Sequence, residues 1–200
     1  MMSEIFALLV MLNPFAIFLY IEPIRKALDY KNLIKVIFKA SLISFIILIL
    51  FFLFGNAFFE NYLKINFESF RIFGGFIIIV FAFQYIMKGK EALISMKEDL
   101  DDLASEIALP FMVGAGTISV SILMSKSLNI FVGFFVMALV FILNFIILIS
   151  LINLRMLIDK KKFKIAFDKN MGILIRLNGF FIGAIGVDMI ITSLKNIFFN

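Results

Sequence analysis

Long apolar segments with at most one charge dominate the chain, and this feature restricts its fold more than any other. A helix needs about 20 mostly apolar residues to cross a bilayer. Continuous apolar runs favour helices, since the strands of a membrane barrel alternate apolar and polar residues. We therefore expect an all-α membrane protein whose 200 residues form a single transmembrane domain. Six segments are predicted to cross the bilayer: Ile5–Ile21, Ala40–Phe59, Ile72–Met87, Ile107–Ser125, Ser127–Leu154 and Leu177–Leu194.

Composition agrees with a membrane location and argues against most enzyme classes. Hydrophobic residues make up 63% of the chain and charged residues 16%, against about 45–50% and about 25% in soluble domains. The chain has no cysteine and no histidine, so it lacks thiolate nucleophiles, the commonest general base and the usual zinc ligands. The predicted spans also hold no paired carboxylates for acid–base work. We expect no catalytic residues, no cofactor and no metal.

The basic residues lie between the spans and predict the orientation of the chain. Counting Lys and Arg in alternate segments gives 15 on one side of the membrane and 4 on the other. Because basic loops favour the cytoplasmic side, we expect both termini outside the cell and the loop from Arg155 to Arg176 in the cytoplasm. The N-terminus, Met1-Met2-Ser3-Glu4, is acidic where a signal peptide is basic. The first apolar segment is therefore expected to remain in a protein of the cell (plasma) membrane.

The two halves of the sequence resemble each other. Residues 71–77 (RIFGGFI) align with residues 176–182 (RLNGFFI) at an offset of 105, and the first and fourth spans align more weakly at about 101. Three spans per repeat is an odd number, so the second copy must be inverted in the membrane. We expect repeat one at about 1–90, a solvated cytoplasmic linker at about 88–106 and repeat two at about 107–200. Inverted repeats are typical of secondary transporters.

Helix-breaking residues occupy matching positions of the two repeats. Proline removes a backbone donor, and glycine weakens a helix while allowing close backbone approach. An opened helix in a bilayer must face protein or a water-filled cavity, and its N-terminus attracts anions. Alternatively, such residues serve only helix packing. The matched positions favour a substrate-binding site near the bilayer midplane, made of interrupted first and fourth helices. Its predicted residues are Asn13, Pro14, Gly114, Ala115, Gly116 and Thr117.

One acidic residue, Asp188, lies well inside a predicted span, and Gln84 occupies a similar place in the third span. Acids inside bilayers usually face a polar interior and mark ion or proton paths. We therefore predict ion coupling at Asp188 and Gln84. The alternative is an interfacial aspartate on a tilted helix.

The chain resembles the MarC family of six-span membrane proteins, whose members include small neutral amino acid transporters. The resemblance covers essentially the whole chain, and the motifs that carry it are 12–15 (LNPF), 71–75 (RIFGG), 108–118 (ALPFMVGAGTI) and 176–179 (RLNG). It implies a fold of two inverted three-helix repeats, similar to the LysE superfamily of amino acid exporters. The family usually has Gly-Pro-Gly where this chain has Gly114-Ala115-Gly116, which predicts a less sharply broken helix. The family also tends to have an amide where this chain has Asp188.

The resemblance, together with the inverted repeats, implies a secondary transporter of small neutral amino acids such as alanine, glycine or serine, which we expect to be coupled to protons or sodium. No phosphate-binding loop for ATP is present in the sequence. The expected partners are the amino acid, the coupling ion and the lipid bilayer, with no nucleic acid, and a homo-oligomer is left open. The alternatives are a channel or passive facilitator, and a structural membrane protein without transport activity.

Overall fold

The structure, a computed structural model, describes residues 2–89, 99–159 and 164–199. These residues form helices connected by short turns, and no β-strand occurs among them. In chain order the helices are α1 (Met2–Leu12), α2 (Pro14–Tyr20), α3 (Glu22–Ala27), α4 (Tyr30–Ala57), the π-helix π1 (Phe58–Leu63), α5 (Phe67–Lys88), α6 (Leu100–Glu106), the π-helix π2 (Ile107–Met112), α7 (Ala115–Ser127), α8 (Ile130–Asp159) and α9 (Lys164–Phe199).

Five helical stretches within the described ranges are long and apolar enough to cross a membrane. They are Met2–Ala27, Tyr30–Gly55, Phe67–Lys88, Ile130–Ile158 and Asn170–Phe199. The fourth predicted span, Ile107–Ser125, does not form one continuous helix. It is divided between π2 and α7, with Val113 and Gly114 in extended conformation between them. The all-α membrane fold is thus confirmed with five candidate spanning stretches in the described residues, which do not establish the predicted arrangement of six spans in two inverted repeats.

Several helices begin well before their apolar cores. The second span was predicted from Ala40, but α4 begins at Tyr30, where the Asp29 side chain accepts a hydrogen bond from the Asn32 N–H at 3.4 Å. Helix α9 likewise begins at Lys164 rather than Leu177. Sequence hydropathy marks the part of a helix that contacts lipid, whereas a capped helix continues into the aqueous boundary. Lys31 and Lys35 are accordingly exposed on the first turns of α4.

The predicted linker at 88–106 is partly helical. Asp99 caps α6 by accepting a hydrogen bond from the Asp101 N–H at 2.6 Å, and the Asp101 carboxylate also pairs with Lys39 of α4. Leu103 and Ala104 are fully buried. The C-terminal part of the linker is therefore packed against the bundle, while residues 90–98 lie outside the described residues.

Helices α5 and α9 pack against each other over most of their lengths and run antiparallel. Asn196 near the end of α9 donates to Glu68 at the start of α5 at 3.1 Å, and Arg176 donates to the Ile86 carbonyl near the other end. The backbones approach closely where Gly75 meets Gly186, since a Cβ on either glycine would lie 2.7–2.8 Å from the other's carbonyl oxygen. Small residues allow this approach in membrane bundles.

Helices α4 and α8 supply much of the core and also a large part of the outer surface. Each buries one face, which includes Leu48 on α4 and Leu148 on α8. The opposite faces are exposed and apolar, as expected for contact with lipid. Their exposed side chains include Phe38, Leu42 and Ile46 on α4, and Phe134, Ile142 and Ile146 on α8.

Candidate functional site

The first helix break lies at Asn13, between α1 and α2. Asn13 adopts a left-handed conformation (φ 47°, ψ 68°), and Pro14 follows at the first position of α2. Asparagine tolerates this conformation better than most residues, and proline suits a helix start because its missing donor is not needed there. The Asn13 side chain accepts a hydrogen bond from the Ala16 N–H at 3.1 Å. This residue therefore ends one helix and caps the next.

The second break lies between π2 and α7. Leu109 has non-helical angles (φ −118°, ψ 116°), which the following proline in the sequence explains, because proline disfavours helical geometry in the residue before it. Gly114 is extended (φ −127°, ψ 175°). The Gly114 N–H donates to Thr117 Oγ1 at 2.9 Å, and Thr117 Oγ1 lies 3.0 Å from the Met112 carbonyl oxygen. Alanine in place of the family's usual proline therefore does not prevent a full break, contrary to the prediction of a gentler one.

The two breaks meet around one cavity of about 100 Å³. Helix α1 ends and helix α7 begins at its surface, and α2, α5 and α9 supply the remaining walls. Gly116 lines the cavity, and it also packs closely on Met11, since a Cβ at this position would lie 3.0 Å from the Met11 sulfur. The lining residues are Met11, Leu12, Asn13, Ala16, Ile17, Tyr20, Ile78, Phe81, Tyr85, Gly114, Gly116, Thr117, Ile182 and Ile185.

A chain of polar side chains runs along one side of the cavity. The Asn13 Nδ2 donates to Asn178 Oδ1 at 3.3 Å, and the Asn178 Nδ2 donates to the Tyr20 hydroxyl at 2.7 Å. The Tyr20 ring stacks on Tyr85 with the ring centroids 4.4 Å apart. Asn178 and Tyr20 are 4% and 2% exposed. Buried polar groups that satisfy one another hold a site rigidly, so these contacts fix the first break against α9.

The ends of two helices face the same cavity with opposite electrostatic character. The first N–H groups of a helix and its last carbonyl groups have no partners within the helix, so they carry partial positive and negative charge. Gly114 and Gly116 place the N-terminus of α7 at the cavity, while Met11 and Leu12 place the C-terminus of α1 there. This arrangement suits a small molecule that carries both charges.

Four of the six predicted binding residues line the cavity, namely Asn13, Gly114, Gly116 and Thr117. Pro14 and Ala115 adjoin them in the chain but lie outside the lining, and Ala115 packs against Gly74 of α5. Their part in substrate binding stays a prediction. Among the described residues no group of three or more acidic side chains is arranged to hold a metal ion.

The two residues predicted to couple an ion lie away from the cavity. Gln84 is half-buried on α5, and Asp188 is exposed on α9. The interior position expected for Asp188 is therefore wrong. Its helix is rotated so that Met189, one residue further on, is buried instead, because successive residues of an α-helix point about 100° apart.

Two polar residues that line the cavity, Tyr20 and Tyr85, were not predicted to belong to it, nor was Asn178, which donates a hydrogen bond to Tyr20 from behind the lining. The tyrosines occur in apolar runs, where an aromatic side chain is equally suited to packing or to the membrane interface. Asn178 carried a usable signal, since it is an amide within a predicted span and part of the repeated motif at 176–179. A polar group in a span usually faces protein.

Membrane-crossing helices around an internal, partly polar cavity define a multi-pass integral membrane protein. The sequence places it further: the family model described as "MarC family integral membrane protein" matches residues 1–198, and the chain belongs to this family. It is also 25% identical over 200 residues to a UPF0056 membrane protein of Pyrococcus horikoshii, with 100% of this chain and 95% of that protein covered. No solved structure matches the chain.

Proposed function

We propose that the protein is a secondary transporter of small neutral amino acids, such as alanine, glycine or serine, in the cell membrane. The observation that carries this proposal is the cavity of about 100 Å³ at which two interrupted helices meet. Sites for drug-sized ligands measure roughly 300–1,000 Å³, so this cavity suits a much smaller solute. Family membership is consistent with a transporter and leaves the substrate open.

The chemistry of the cavity supports an amino acid as that solute. A carboxylate is stabilised by the N–H groups at the start of α7, where Gly114 and Gly116 allow close backbone approach. An ammonium group is stabilised by the carbonyl groups at the end of α1 and by the side-chain oxygen of Thr117. The other walls are largely apolar, with Ile78 and Phe81 among them. They accommodate a small side chain and offer no partner to a charged one.

We further infer that the fold consists of two inverted three-helix repeats, with α6, π2 and α7 together as the sixth crossing segment. Structural features that recur 100 residues apart, at the start of α4 and α8 and along these two helices, support this arrangement. The chain is extended at Leu28 and Leu128, and Asp29 and Asn129 both accept a backbone hydrogen bond at the start of the next helix. Buried positions of α4 recur in α8 at the same offset: Ala40 and Val140, Ser44 and Asn144, and Leu48 and Leu148.

The charge distribution supports an orientation with both termini outside, because 15 basic residues lie in loops on one side and 4 on the other. Coupling to protons or sodium completes the proposal, since the sequence offers no ATP-binding loop of its own. Asp188 and Gln84 are the residues predicted for this role, but neither lines the cavity, so we do not expect Asp188 to couple an ion to a substrate bound there.

Counterflow of labelled alanine into proteoliposomes tests the proposal. We expect exchange to require unlabelled alanine inside the vesicles, and we expect net accumulation only under a proton or sodium gradient. Uptake that ignores both gradients would indicate a passive facilitator. No counterflow of alanine, glycine or serine by a folded, correctly inserted protein would contradict the proposal.

A further inference from the structure

A buried ion pair joins the first interrupted helix to α8. The carboxylate of Glu22, in α3, lies 3.2 Å from Arg155 Nη2, in α8. Glu22 is 3% exposed and Arg155 is 1% exposed. Arg25 also contacts the same carboxylate, with distances of 2.7 and 2.8 Å, but from one turn away on its own helix. Lys26, also on α3, lies 3.5 Å from the carboxylate, so of these three contacts the one with Arg155 joins two separate elements.

The equivalent contact at the opposite end of the bundle has no charge. At an offset of 100 residues between the two repeats, Ile122 is the equivalent of Glu22, and Gly55 is the equivalent of Arg155. These two residues are also in contact, since a Cβ on Gly55 would lie 2.5 Å from the Ile122 side chain. The repeats thus meet in the same way at both ends. We call the contact between Glu22 and Arg155 the ionic end, and the contact between Gly55 and Ile122 the apolar end.

The ionic end lies next to the cavity along the chain. Tyr20 lines the cavity two residues before Glu22, and its ring covers Tyr85 of α5. Ile21, between Tyr20 and Glu22 in the chain, is 1% exposed. Because one residue joins α2 to α3, a movement of α3 away from α8 would act on Tyr20 at the cavity wall. Such a movement would also separate Glu22 from Arg155 and expose both to water.

We propose that the pair of Glu22 and Arg155 is a gate that keeps the cavity closed towards the ionic end, while apolar packing of Ile122 against Gly55 closes the other end. The proposal rests on the proposed transport function, because a gate requires alternating access. The two closures have different chemistry. Loss of Arg155 leaves Glu22 paired with Arg25 and Lys26 on its own helix. The closed state therefore loses the charged contact between α3 and α8, whereas the other end is closed by apolar packing alone.

Thiol accessibility tests the gate without a transport assay, because the chain has no cysteine of its own. A cysteine at Ile17, which lines the cavity, reports access to it. A separate cysteine at Asp29, just after α3, identifies the membrane side on which the ionic end lies. Both proteins are reconstituted in lipid vesicles and labelled from each side in turn with an impermeant maleimide.

In the Ile17→Cys background, we expect Arg155→Met to raise the labelling rate from the side of the ionic end by about tenfold or more. Arg25→Met is the matched control. It removes a contact to the same carboxylate but leaves the tie between helices, so labelling should stay near the parent rate. An increase as large in Arg25→Met, or an unchanged rate in folded Arg155→Met, would overturn the gate.

Arg155→Lys guards against failure of the methionine variant to fold. It keeps the charge but loses the planar fork of the guanidinium, so we expect a smaller increase of about threefold. Size-exclusion chromatography identifies the folded variants. If Arg155→Met does not fold and folded Arg155→Lys is labelled at the same rate as the parent protein, the proposal is also rejected. Failure of alanine counterflow in the parent protein would contradict the proposed substrate while leaving this labelling result readable.

Discussion

Asn13 and Gly114 interrupt their helices by different means. At Asn13 the chain turns through a left-handed residue, and one side chain both caps α2 and donates to Asn178 of α9. At Gly114 the chain is extended, and Thr117 one turn later holds the break through its hydroxyl group. A hydrogen bond therefore ties the first break to another helix, whereas the hydrogen bonds of Thr117 that hold the second break stay within its own segment.

This difference shows what each break leaves available to a ligand. Around Asn13 the side-chain amide and the Ala16 N–H already have partners. Around Gly114 the side chains are small, and a ligand can approach the backbone at the start of α7 closely. We therefore expect the glycine break to bind the substrate directly and the asparagine break to fix the geometry of the cavity.

The largest effect is expected from Gly116→Leu, which adds four carbon atoms at the cavity surface. The cavity volume of about 100 Å³ corresponds to roughly three water molecules, so a leucine side chain fills most of it. Alanine uptake into proteoliposomes should fall to background while the protein remains folded. Ala184→Leu, on the exposed surface of α9, is the control and should retain uptake. Normal uptake in Gly116→Leu would mean that this glycine serves packing alone.

Asn13→Ala and Asn13→Gly separate the backbone role of the first break from its side-chain role. Alanine pays a penalty of about 1–2 kcal/mol in the left-handed conformation and also loses the cap, worth about 1 kcal/mol. Glycine adopts the conformation freely, and replacing a cap by glycine costs only a few tenths of a kcal/mol. Thermal unfolding in detergent should rank Asn13→Ala below Asn13→Gly. Equal stability of the two variants would show that the left-handed conformation at position 13 does not destabilise the alanine variant.

Sequence reasoning located the breaks because proline and glycine act through the backbone, whose geometry is local. Asn13, Gly114, Gly116 and Thr117 were found in this way, and all line the cavity. The sequence did not predict contacts between distant parts of the chain. The pair of Glu22 and Arg155 joins residues 133 positions apart, and no periodicity in either helix identifies the partner of the other.

Helix rotation is the second limit on what a sequence predicts. Asp188 lies in a span whose apolar residues surround it on all sides of the helix, so the pattern gives no buried face. An error of one residue turns the side chain by about 100°, which separates an interior site from the outer surface. Helix ends were also misjudged, as at Tyr30 and Lys164, because hydropathy reports lipid contact rather than helix length.

A smaller effect is expected from Thr117→Val, which tests whether the glycine break depends on one hydroxyl group. Valine has nearly the same shape but leaves the Gly114 N–H and the Met112 carbonyl without this partner. A lost hydrogen bond of this kind costs about 0.5–1.5 kcal/mol. We expect a modest loss of thermal stability and weaker alanine binding, seen as a raised KM in uptake. Thr117→Ser keeps the hydroxyl group and should restore both, and failure to restore them would assign the effect to the methyl group.

The smallest effect is expected from Asp188→Asn, which tests whether transport depends on the outer face of α9 as well as on the two helix breaks. Asp188 is exposed and lies outside the cavity lining, so its charge has no direct path to a substrate bound there. Asparagine keeps the shape and removes the titrating group. Accumulation of alanine under a proton or sodium gradient should therefore equal that of the parent protein, with exchange as the control for a competent site. Loss of accumulation with exchange preserved would restore the coupling role of Asp188, because exchange requires no net ion movement. It would also show that residues needed for transport extend beyond the two helix breaks to the outer face of α9.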